Sequence, residues 1–158
     1  MHIDDLWRAA RGFAAILLAG AFASSAYAHG NNFSAGEPGD PKKSSRPILI
    51  TAIEKDGRMV FIPHRIEVRR GEQVKFIIRN AGETDHEFIL ATTQENLKHA
   101  EEMRKNPDME HDEPNGKKMK PKQTAEIVWK FTKAGTFEYG CLIPGHHEAG
   151  MHGTIIVK

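Results

Sequence analysis

Apolar side chains alternate with polar ones along segment after segment of this chain: Ile66 and Val68, then Val74, Phe76 and Ile78, then Ala125, Ile127, Trp129 and Phe131, then Phe137, Tyr139 and Cys141. A period of two gives each segment one buried and one solvated face, which is the signature of β-strands. Two further apolar runs, Ile48 to Ile53 and Met59 to Ile62, flank Asp56-Gly57, a hairpin signal. Arg70-Gly71-Glu72 reads as a turn, Asp85 to Thr92 as another strand, and Gly153 to Lys158 as the closing one. The pattern breaks once, between Thr93 and Lys122. There Thr92 and Glu95 form a capping-box pair, Gln94 to Lys105 are good helix formers, and Pro107 stops the run. Asp108 to Lys122 is charged and contains Pro and Gly, so it reads as a surface loop. About seven short strands at this spacing fit an all-β, Greek-key β-sandwich with one short helix and a charged loop inserted.

Residues 1–28 stand outside that pattern. Arg8 and Arg11 precede an apolar stretch from Phe13 to Ala23, and Ala26-Tyr27-Ala28 supplies a small-x-small cleavage pattern. The stretch is shorter than the roughly 20 residues that span a bilayer, so a cleaved export signal is expected and no membrane insertion thereafter. Residues 29–46, rich in Gly, Pro, Ser and Asn, read as a flexible N-terminal arm, leaving 47–158 as one domain. Charge is balanced, with 22 Lys+Arg against 21 Asp+Glu, so no basic field points to nucleic acid. In an exported protein a lone Cys cannot close an internal disulfide.

That Cys, Cys141, opens the run Tyr139-Gly140-Cys141-Leu142-Ile143-Pro144-Gly145-His146-His147-Glu148-Ala149-Gly150-Met151. A thiolate, an imidazole and a thioether so close together are the donors that copper selects. A second imidazole, His86, shares parity with Phe88 and Leu90 and so faces inward, where its ring nitrogens need partners. Zinc also binds Cys and His, but its structural sites take four N/S ligands without a thioether. Pro144-Gly145 supplies a turn between thiolate and imidazole, and Gly150 lets the backbone bring Met151 under the metal.

The spacing Cys141-x4-His146-x4-Met151 resembles the copper loop of the cupredoxins, and the resemblance covers Ile48 to Lys158. It implies a sandwich holding one type 1 copper, with His86, Cys141 and His146 as strong ligands and Met151 as the weak axial one. His147 is the rival to His146 and is expected to be solvated; His64 and His152 read as surface residues. Many family members carry Asn or Ser after the upstream His, where this chain has Glu87. The resemblance also implies a periplasmic, monomeric one-electron carrier, cycling Cu(I) and Cu(II). It would dock a redox protein such as a c-type cytochrome or copper oxidase transiently, through an apolar rim of Leu142, Ile143 and Pro144 around His146.

The chain is similar, further, to exported cupredoxins linked to copper resistance in proteobacteria. The alternative role is therefore copper sequestration or detoxification with accessory sites and no dedicated electron-transfer partner. His29, expected as the mature amino terminus, is one candidate for a weak accessory copper; the helix pair His99 and Met103, with Met109, His111 and Met119 nearby, is another. An enzyme is not expected, because copper enzymes of this type need a second copper centre built from additional histidines.

Overall fold

The computed structural model describes residues 33–106 and 113–158. In chain order the elements are β1 (Glu37–Pro38), β2 (Arg46–Lys55), β3 (Arg58–Ile62), β4 (Arg65–Val68), β5 (Gln73–Asn80), β6 (His86–Ala91), α1 (Thr93–Lys105), β7 (Gly116–Met119), β8 (Thr124–Lys130), β9 (Gly135–Gly140) and β10 (His152–Val157). They form two five-stranded sheets with the orders β1-β8-β5-β2-β3 and β4-β10-β9-β6-β7. The expected β-sandwich is present. Its strands outnumber the about seven read from periodicity because β1 and β7 are too short to show an alternation.

The inward faces of the sheets meet in an aromatic core. Phe88 lies 5.3 Å from Tyr139, 5.5 Å from Phe76 and 6.1 Å from Phe61, ring centre to ring centre. Ile50, Ile78, Trp129, Phe131 and Ile155 are buried around them, at the inward positions the alternation marks. Strand β6 is buried at all six positions. Its His86, Phe88 and Leu90 face the sandwich, while Ile89 packs with Ala100, Met103 and Leu142 beneath α1.

The helix starts where the sequence places it. Thr92 accepts from the backbone N–H of Glu95, and the Glu95 carboxylate accepts from the backbone N–H of Thr92 at 2.9 Å. Among the described residues no helix is long and apolar enough to cross a membrane.

Two expectations need correction. Part of the charged loop is a strand: Gly116–Met119 pairs antiparallel with β6, setting Met119 opposite His86. Two of its four residues are lysines, so its one buried face leaves little trace in the sequence. The expected flexible arm is packed on the sandwich over its described part. There Glu37 and Pro38 pair with Lys130 and Trp129, the Phe33 ring meets Trp129 edge-on at 5.2 Å, and Trp129 Nε1 donates to Ala35 O.

Candidate metal centre

Three strand ends meet at one pole of the sandwich. Strand β6 starts with His86, β9 runs out into Cys141, and the loop back to β10 carries His146 and Met151. The loop is closed by backbone bonds: Cys141 N–H donates to Met151 O and Met151 N–H to His146 O, each at 3.0 Å. Gly150 turns with φ 99°, a conformation that a side chain disfavours.

This closure brings one donor atom each from His86, Cys141 and His146 within 4.8 Å of one another. His86 Nδ1 lies 3.3 Å from His146 Nδ1, and Cys141 Sγ lies 3.4 Å from that same nitrogen. First-row metals bond imidazole at about 2 Å, so three donors in a plane stand about 3.5 Å apart. The two edges that meet at His146 therefore have the length of a trigonal metal site. One thiolate and two imidazoles are the in-plane set of a mononuclear copper centre. Met151 is fully buried in the core cluster that includes Cys141, and its backbone bonds those of Cys141 and His146.

Cys141 is also fully buried, and burial pushes its thiol up to about 12. The backbone N–H of Glu87 donates to Sγ at 3.2 Å and opposes that rise. The position after the upstream His thus still bonds the sulfur, through its main chain. Burial lowers both His86 and His146, and their mutual repulsion lowers His146 further. Neutral imidazoles are the form that binds metal.

His86 Nε2 points the other way, to Glu54 Oε1 at 3.1 Å. Burial pushes the Glu54 carboxyl up, but hydrogen bonds from Thr84 Oγ1 and from backbone N–H groups of Glu83 and Thr84 outweigh it and bring the pKa down to about 2. A neutral His86 that donates from Nε2 presents a lone pair at Nδ1, toward the triangle. Glu54 carries one faint signal in the sequence. It continues the inward series Ile48, Ile50, Ala52 along β2, where an acid demands a polar partner.

The remaining expectations fare unevenly. His147 stands outside the donor group, as expected, but is not solvated: Nε2 lies 3.1 Å from Glu138 Oε1, and the ring stacks on His152 at 4.8 Å. His64 and His152 are exposed. Leu142 is not part of a surface rim, being buried beneath α1 with Ile89, Ala100 and Met103; Ile143 is half-buried and Pro144 exposed. Met103 and Met119 pack in two different apolar clusters and do not converge on a second site. His29, Met109 and His111 lie outside the described residues.

Residues 49–158 match a family described as copper-binding proteins of the plastocyanin/azurin type. The chain is 46% identical over 133 residues to a protein of Rubrivivax gelatinosus named copper-resistant cuproprotein CopI, covering 84% of this chain and 79% of that one. A protein of the same name from Pseudomonas aeruginosa is 33% identical over 171 residues, covering 90% and 91%. Among solved structures, the dithionite-reduced auracyanin of Roseiflexus castenholzii superposes with a TM-score of 0.60 at 19% identity, covering 73% of this chain and 99% of that one.

Proposed function

The chain belongs to the plastocyanin/azurin family of copper-binding proteins, and on that premise we propose that it is an exported, periplasmic type 1 copper protein serving copper tolerance as a one-electron carrier. In this reading His86, Cys141 and His146 would hold the metal as its strong ligands, and Met151 would be the weak fourth one. Bound there, copper supplies a one-electron Cu(I)/Cu(II) couple. The surrounding residues keep the geometry constant through that change: β6, β9 and β10 fix the donors, and the loop bonds between Cys141, His146 and Met151 close the frame. A frame that does not rearrange keeps the cost of each electron transfer small. The half-buried His146, beside Ile143 and Pro144, is the proposed point of transient contact with a redox protein such as a c-type cytochrome or copper oxidase. The protein acts in this reading as a monomer and not as an enzyme in its own right.

The observation that carries the proposal is the Nδ1–Nδ1–Sγ triangle. Visible absorption and EPR of the copper-loaded protein test it, beside Cys141→Ser. An intense thiolate-to-copper band is expected in wild type and absent from the variant. A wild type that stays colourless with Cu(II) overturns the reading. Oxidation of the Cu(I) form by a c-type cytochrome, followed in a stopped-flow mixer, tests the carrier role. Amino-terminal sequencing of the protein from the periplasmic fraction tests export.

The second reading is sequestration, favoured by the name of the two relatives, copper-resistant cuproproteins. A stoichiometry above one copper per chain favours sequestration; one copper with fast electron exchange favours the carrier.

A further inference from the structure

We propose that Glu54 is a positioning residue of the metal centre: from outside the donor set, it orients the His86 imidazole and fixes the tautomer that presents Nδ1 to the metal. The inference deepens the copper reading and rests on it. Its basis is a carboxylate built into place from several directions. Glu54 Oε2 accepts from the backbone N–H of Glu83 at 3.0 Å, and Oε1 accepts from Thr84 Oγ1 at 2.6 Å and Thr84 N–H at 3.2 Å. With His86 Nε2 these make four contacts, about the number of lone-pair sites an ionised carboxylate offers. Gly82 makes the room: a Cβ there would fall 2.0 Å from Glu54 Oε2, so any side chain displaces the carboxylate.

The placement is directional. Glu54 meets the ring nitrogen opposite the one that faces His146 and Cys141, so it serves the centre through His86 and not as a ligand. An ionised acceptor on Nε2–H raises the electron density at Nδ1 and holds the ring against rotation. Outer carboxylates of this kind make imidazole a more basic ligand. A more basic ligand favours Cu(II) over Cu(I), so Glu54 lowers the reduction potential of the couple. Upstream His and Glu54 come from different sheets, and their contact ties the two together at the metal pole.

The test compares wild type with Glu54→Gln, which removes the charge and keeps the size, and Glu54→Ala, which removes the acceptor. Nitrogen-15 NMR of the copper-free proteins reports the His86 tautomer. Wild type is expected to show Nε2–H alone, and Glu54→Ala a mixture of both tautomers. In copper-loaded protein, both variants are expected to keep the thiolate charge-transfer band while the potential shifts upward. Cu(II) affinity is expected to fall about 10- to 100-fold in Glu54→Ala, with Cu(I) affinity changed less. Thermal unfolding of the copper-free variants checks that each remains folded. An unchanged tautomer together with a ratio of Cu(II) to Cu(I) affinity within about twofold of wild type overturns the proposal. Failure of the copper reading shows separately, as a wild type without the band, and the NMR comparison then still decides whether Glu54 sets the ring.

Discussion

Asn80 is buried at the end of β5, and the three hydrogen bonds of its side chain all run to the segment before His86 or to the residue opposite it. Nδ2 donates to Thr84 O at 2.7 Å and to Met119 O at 3.1 Å, and Oδ1 accepts from Gly82 N–H at 2.9 Å. Together with Glu54 it braces residues 81–85 from two sides. Asn80→Ala strands those three backbone groups, and each buried group left unpaired costs about 1–3 kcal/mol. Water relieves part of that, so the expected loss is about 3 kcal/mol, read as a lower urea midpoint at unchanged slope. Cys141, His146 and Met151 are legible in the sequence because their spacing is local and the donor chemistry restrictive. Asn80 and Glu54 are not, since their roles arise only when β2, β5 and β6 come together. The acid at an inward position of β2 was the one local sign.

Helix α1 is the element whose start is most fully written in the sequence. Thr92→Ala is expected to cost about 1 kcal/mol, the usual worth of such a cap, measured by denaturant unfolding. Ser34 also donates to Glu95, so the capping box reaches back to the amino-terminal segment. Burial pushes the Glu95 carboxyl up, but the bonds from Ser34 and Thr92 prevail and hold it below the ordinary glutamate value. A carboxyl with a lower pKa folded than unfolded binds fewer protons when folded. Its contribution is complete above the unfolded value and disappears as pH falls through the folded one. Wild type should therefore lose more stability on acidification than Glu95→Gln, a difference visible as a steeper slope of midpoint against pH. Strand β7 is illegible for the opposite reason: an edge strand with two lysines shows no run of apolar residues.

For the whole molecule, the amino-terminal segment matters more than its composition suggests. Composition reports flexibility, but Phe33 and the Ala35 carbonyl find partners on Trp129, far away in sequence. Trp129 is the sole tryptophan beyond residue 28. A chain beginning at residue 41 should therefore show red-shifted tryptophan emission and a lower midpoint than one beginning at residue 29. Removing copper should leave the far-ultraviolet circular dichroism unchanged, because ladders and an apolar core hold the sandwich. Loading should raise the melting temperature, by about 4 kcal/mol of added stability when free copper exceeds its dissociation constant a thousandfold. Finally, Gly140 and His152 face each other across the β9–β10 ladder, so the eleven residues between them leave and return at one fixed gap. Such a stretch should behave as an interchangeable cassette. Transplants of other lengths should retune colour and potential while the scaffold beneath goes on folding as before.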